Sequence, residues 1–185
     1  WPANPPFHRD STEQGGTPTE KWYATGQVAL SEHAGTHMDA PVHFAQGQAG
    51  IDGIPVDRLI GPAVVIDVRV AVKEDRDYRV SLSDIHRWES AHRTIPAGAI
   101  VMLLTGWGVY WTDRERYFGS ATPDVPTTLH FPGFSQEVAE FLVAERHISG
   151  IGIDTASIDY GLSQDFVVHR IVNGAGLYGL ENVAR

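Results

Sequence analysis

Cysteine is absent from all 185 residues, which removes disulfides, thiolate nucleophiles, iron–sulfur clusters and cysteine-type structural zinc together. Positive charge is scarce: 14 Lys and Arg stand against 23 Asp and Glu, a formal net charge of −9. That sign is wrong for neutralising phosphates or anionic lipid, so no nucleic-acid or membrane partner is expected. Long apolar runs are missing too. The longest, over residues 99–111, is broken by Thr105, Gly106 and Gly108 and is shorter than the roughly 20 residues of a bilayer-spanning helix. The length suits one core rather than two, which leaves a small molecule as the natural partner. The chain opens on Trp1 rather than Met and stops after Arg185 without a turn signal, as expected of a piece lacking native residues at its ends. Localisation is open, with the cytoplasm favoured.

What is present alternates between strand and helix signals. Residues 1–19 are rich in Pro, Gly, Ser and Thr, so an irregular N-terminal arm is expected over 1–21 and an organised domain over 22–185. Residues 27–33 alternate with the period of a half-buried strand, and the aliphatic runs 63–68, 99–104 and 148–153 read as buried strands. One helix is expected to start near Ser81 or Ser83, with Ile85 and Trp88 facing inward. A second is capped by Ser135 and presents Val138, Phe141 and Leu142 at helical spacing. A third runs over about 163–172 and ends at Asn173-Gly174, a left-handed stop. The pattern predicts a single α/β domain with a mixed sheet. Residues 110–133, with Gly119, Pro123, Pro126 and Pro132, read as a long loop over a site.

Histidine is plentiful, nine in all, and three fall within eleven residues: His33-Ala-Gly-Thr-His37-Met-Asp39-Ala-Pro-Val-His43. A helix is a poor fit, because Gly35 and Pro41 interrupt it and Asp39 would lie about 200° around the axis from His37. An extended chain places all four odd-numbered side chains on one face. Full extension would still hold His33 and Asp39 about 20 Å apart, so the chain must bend, and Gly35 and Pro41 are where it can. Once bent, His33, His37 and Asp39 form a 2-His-1-carboxylate set with open positions, suited to Zn²⁺, Mn²⁺ or Fe²⁺. Any one of these histidines alone is more often a satisfied core or surface residue; four ligand types of one parity together favour a metal.

The stretch from His33 to Phe44 resembles the H-x-G-T-H-x-D-x-P-x-H-F signature of the metal-dependent cyclase family, which includes bacterial kynurenine formamidase and isatin hydrolase. The likeness continues through Thr105-Gly106-Trp107, residues 131–135, residues 152–157, His169 and Glu181-Asn182. It implies a fold like the swivelling β/β/α arrangement and a homodimer. It also implies one or two divalent ions, Zn²⁺ or Mn²⁺, on His33, His37 and Asp39, with His169 and Glu181 helping to bind the second. The activity it implies is hydrolysis of a C–N amide bond in a small aryl formamide or cyclic amide, by water that the ion activates and with His43 as proton shuttle. Lactone or lactam ring chemistry on the same scaffold and a non-catalytic metal-binding module are the alternatives.

Two departures accompany the resemblance. The Asp-Leu-Ser type of strand usual before Trp-Pro is missing, and the later Asp-Thr-Pro-Ser-Val-Asp-Pro pattern reads Asp154-Thr-Ala-Ser-Ile-Asp159-Tyr160. Asp154 and Asp159 divide evenly between active-site carboxylates and ordinary turn or cap residues. Trp107 and Phe44, with Trp1 and Phe7, are candidates for an aromatic substrate wall, core packing being the alternative for each. His8, His86, His92, His130 and His147 receive no role.

Overall fold

The computed structural model describes residues 5–16 and 21–184. Trp1 lies outside them. A hairpin of β1 (His8–Gly15) and β2 (Tyr23–Ala29) comes first. The chain then enters β3 (His37–Asp39), β4 (Ala63–Asp67), α1 (Arg69–Glu74), β5 (Arg79–Val80) and α2 (Leu82–Ala91). After these come β6 (Ile100–Leu104), α3 (Arg114–Phe118), β7 (Gly133–Phe134), α4 (Gln136–Arg146), β8 (Gly150–Ile153), α5 (Val167–Gly174) and β9 (Tyr178–Glu181). The main sheet has the order β3-β9-β8-β6-β4; the last four strands are mutually parallel and β3 is antiparallel to β9. The mixed α/β sheet matches the expectation.

Each element follows from local chemistry. β4 alternates exposed and buried residues, so Val64 and Ile66 point to the core while Ala63, Val65 and Asp67 stay outside. Central β8 is buried at every residue. The helix α2 begins at a capping box, in which the Ser81 hydroxyl accepts from the Asp84 amide and the Asp84 carboxylate accepts from the Ser81 amide. Ser135 caps α4, whose Val138, Ala139 and Leu142 are buried. These side chains and Val168 and Val172 of α5 form one core with Val101, Leu103, Ile151 and Ile153 of the sheet.

Four local expectations change, the first in α5, which starts at Val167 and runs through Asn173-Gly174 to a cap at Ala175 (φ −80°) rather than stopping there in left-handed backbone. The arm is not irregular throughout, because residues 8–15 pair with β2 from His8↔Ala29 to Gly15↔Tyr23. The segment is polar, so it carries no period-two apolar signal; its order comes from main-chain pairing. The strand expected over 27–33 sits earlier, at Tyr23–Ala29. Residues 110–133 are not one loop: Asp113 caps α3, and a 3₁₀ turn spans Pro126–Thr128. Tyr117 is the buried residue of α3, too little for a helical period to be read.

Candidate metal centre

The histidine motif bends at the two residues able to bend it. Gly35 has φ of 67°, in the left-handed region that costs a side chain but not glycine. Pro41 opens a 3₁₀ turn, Pro41–His43, immediately after β3. Only His37–Asp39 is extended, so the expected single strand face is replaced by a short strand between two turns. The turn before β3 carries His33 back over it: His33 Nδ1 lies 3.1 Å from His37 Nε2 and 2.9 Å from Asp39 Oδ1. His37 Nε2 is 3.3 Å from the same oxygen.

The other half arrives from the far end of the chain. In the β3–β9 register His37 stands opposite Glu181, and its Nε2 lies 3.4 Å from Glu181 Oε2. Buried on α5, His169 turns Nε2 to within 3.2 Å of Asp39 Oδ2 and 3.1 Å of Glu181 Oε1. Each carboxylate therefore offers one oxygen to the His33–His37 side and the other to His169. All five residues predicted as metal ligands come together.

The imidazoles are held in the tautomer a ligand needs. His37 Nδ1 donates to the Gly35 carbonyl at 2.9 Å, so Nε2 is the nitrogen that faces the acids, a proton donor to them in the metal-free protein and the ligand atom where an ion replaces that proton. On His169, Nδ1 donates to Asp159 Oδ2 at 2.7 Å with the same result. Asp159 also accepts the amides of Val168 and His169 at the start of α5, so it caps the helix and orients its histidine at once. Asp154 belongs to the turn reading: it accepts from Thr105 and Gly106 and ties the ends of β8 and β6 together.

Electrostatics mark the cluster as built for positive charge. Burial alone would lift the Asp39 carboxyl, yet hydrogen bonds from His169 and His37 hold it well below the usual carboxylate range. Glu181 is likewise brought down by His169 and His37 against the opposing effect of burial. Burial would depress the His37 imidazole, but Asp39, Glu181 and the Gly35 carbonyl outweigh it and push the ring up to about 10. His169 is driven well above the ordinary histidine value by Asp159, Asp39 and Glu181 despite its burial. Two acids exposed by only 2% and 4% must have a cationic partner, whether imidazolium or metal. Asp39 Oδ1 is fully buried, with ring nitrogens of both His33 and His37 within 3.3 Å. The ligand atoms of His33, His37 and Asp39 all lie within 4.8 Å of one another, and the donor set is one that Zn²⁺ and Mn²⁺ accept.

Beside the cluster lies a cavity of about 210 Å³, lined by His33, His43, Phe44, Ser157, Phe166 and His169 among others. His43 is exposed at this mouth, its ring 4.3 Å from that of His33 and 5.8 Å from that of His169. Desolvation against these neighbours pushes its imidazole below the ordinary value. Phe44 lies 4.6 Å from the His169 ring and 5.3 Å from that of Phe166. Phe166 and the orienting role of Asp159 were not anticipated; Phe166 stands just before α5 in left-handed backbone, with φ of 50°, so helical spacing gives no signal for it.

Trp107 is not at this cavity. It is 7% exposed, packs in the core and donates its indole N–H to the Tyr117 carbonyl at 2.7 Å. A tryptophan after a central strand is drawn inward when its polar atom finds a partner there. Phe7 is exposed just before β1 and does not line the cavity. His86, His92 and His147 are exposed, as expected.

The chain has counterparts among known proteins. The chain is 31% identical over 171 residues to isatin hydrolase of Roseibium aggregatum, covering 88% of this chain and 63% of that protein. It is 31% identical over 159 residues to kynurenine formamidase of Salinibacter ruber, covering 85% of this chain and 64% of that one. It spans, then, a little under two thirds of the length of these relatives. The solved structure of isatin hydrolase A from Ralstonia solanacearum superposes with a TM-score of 0.87 at 30% identity, over 98% of this chain and 70% of that one. The family model described as "Putative cyclase" matches residues 2–160, which include His33, His37, Asp39 and His43. With the sequence match, the shared fold and the bent motif in agreement, the chain belongs to the cyclase family.

Proposed function

We propose that this chain is a metal-dependent hydrolase that cleaves a C–N amide bond in a small aryl formamide or cyclic amide. His33, His37 and Asp39 would hold one divalent ion, Zn²⁺ or Mn²⁺, and His169 and Glu181 with the second oxygen of Asp39 would hold another. Such an ion polarises a carbonyl and lowers the pKa of water to about 7. The carrying observation is Asp39 Oδ1, buried and within 3.3 Å of imidazole nitrogens of both His33 and His37, in a set whose ligand atoms all lie within 4.8 Å of one another.

The chain's own groups supply the rest. His43 stands at the mouth of the cavity, within reach of the cluster, where an imidazole takes a proton from the attacking water and returns it to the leaving nitrogen. Phe44 and Phe166 pack on each other at 5.3 Å and together give the cavity an aromatic wall against which an aryl ring would stack. The names of the relatives supply the candidate substrates, isatin for the cyclic amide and N-formylkynurenine for the formamide. Assay of the metal-loaded protein with both tests the reading; hydrolysis of either supports it, and inertness toward a panel of linear and cyclic amides contradicts it.

A homodimer is part of this proposal. The β1–β2 hairpin exposes Tyr23 and Val28, with Leu30 exposed just after it, and an isolated two-stranded hairpin is marginal in water, so a second copy is a fitting cover for it. Sedimentation at working concentration distinguishes dimer from monomer.

A further inference from the structure

A second cavity, of about 1070 Å³, opens outside the carboxyl ends of β4 and β6, in the region where parallel α/β sheets commonly hold ligands. None of the proposed metal ligands lines it. Its charge runs against that of the whole chain. Arg69, Lys73, Arg76 and Arg116 line it, against only the acids Asp67 and Glu115, whereas the chain carries a net −9. Arg69 and Lys73 are one helical turn apart on α1, and like charges at that spacing repel. In a chain with acids in excess, gathering cations at one crevice is a cost that a bound anion would relieve.

The cations are also positioned. Asp67 holds the Arg69 guanidinium through Nη2 at 2.6 Å and Nε at 2.9 Å. The stem of Arg69 lies close over Gly106, where a Cβ would come within 3.2 Å of its Cγ. Arg116 stacks over the Tyr110 ring at 4.3 Å, which fixes its plane from the opposite wall. Arg76 reaches Asp77 only at 3.9 Å, while Asp77 already holds His130 at 2.8 Å. Val70 and Val109, exposed by 80% and 77%, give the same cavity an apolar rim.

We infer that this groove is a second binding site, separate from the metal centre, for an organic dianion with an apolar or aromatic body. Several separated cations call for more than one negative charge, and the valine rim calls for carbon. A phosphate ester and a dicarboxylate share that chemistry. The inference does not rest on the proposed hydrolysis.

Calorimetric titration of the metal-loaded protein at low salt with phenyl phosphate and with phthalate, both weak chelators, tests it. At least one should bind saturably, and the tighter one assigns the anion class. The Lys73→Glu/Arg76→Glu double variant should bind about tenfold more weakly or worse, while Arg93→Glu, an exposed charge reversal elsewhere, should bind as the parent does. Asp39→Asn should retain binding, since the site is not the metal centre. The reversed residues are exposed, so thermal melting should show both variants folded. The inference is overturned if neither anion saturates, if Arg93→Glu weakens binding as the double variant does, or if Asp39→Asn abolishes it.

Discussion

Asp159 Oδ2 lies 2.7 Å from His169 Nδ1, while the other nitrogen of that ring faces Asp39 and Glu181. The acid therefore fixes both the tautomer and the direction of the ring from outside the cluster. Asp159→Asn keeps the shape and can still accept from the helix amides, but removes the charge that holds Nδ1 protonated. Metal affinity should fall by about 10- to 100-fold, measured by competition with a fluorescent chelator. Unchanged affinity would show that His169 needs no such partner.

Replacing His43 with Ala separates proton transfer from binding. His43 is exposed at the cavity mouth and lies outside the His33–His37–Asp39 set; although its ring is also near enough to Asp39 and His169 to share an ion with them, a proton-shuttle role predicts that metal content persists. Turnover should drop by about 10²–10⁴-fold. Loss of the metal along with activity would recast His43 as a ligand.

Phe44 packs on His169 and on Phe166, and it is one wall of the cavity. Phe44→Leu should raise KM for an aryl substrate more than it lowers kcat, because ring stacking is lost while the metal ligands remain. An effect confined to kcat would remove Phe44 from substrate binding.

Far from the site, Arg146 grips Glu89 through Nε at 2.7 Å and Nη2 at 3.0 Å, and the Ile95 amide adds a third bond at 2.9 Å. The Arg146 bonds foremost lower the Glu89 carboxyl from 4.5 to about 2. Because the folded value is depressed, the stabilisation is fully present above the unfolded value near 4.5 and is lost as pH falls toward about 2. Glu89→Gln should therefore be less stable than the parent at neutral pH, by about 1–2 kcal/mol, with the gap closing over that acid window. Urea melts at neutral pH and near pH 3 check the sign; a gap that grows on acidification would contradict it.

The reach of sequence reasoning follows the distance over which each relationship acts. Gly35 and Pro41 announce the bend inside the motif because backbone preference is local. Parity alone, however, suggested one continuous strand where three extended residues between two turns do the work. His169 and Glu181 were reached through family likeness rather than spacing, since what joins them is the β3–β9 register, formed between residues far apart in the chain. Asp159 was half visible: an acid ahead of a helix reads as a cap, which it is, but its bond to a buried ring on that helix is a matter of packing. Strand β1 escaped because a polar strand leaves no apolar period. Trp107 was ambiguous for a related reason: an indole after a central strand suits a pocket wall and a core equally, and the structure buries it with its N–H on the Tyr117 carbonyl, away from the metal-side cavity and beside the groove at β4 and β6.

The most direct test of the account is the divalent-metal content of protein purified without chelator, parent beside Asp39→Asn, by elemental analysis after dialysis against Zn²⁺ or Mn²⁺. The account predicts stoichiometric metal in the parent and a marked loss in the variant. A parent that takes up no ion, or a variant that retains it equally well, would contradict the claim that the buried imidazoles and carboxylates converge on a cation.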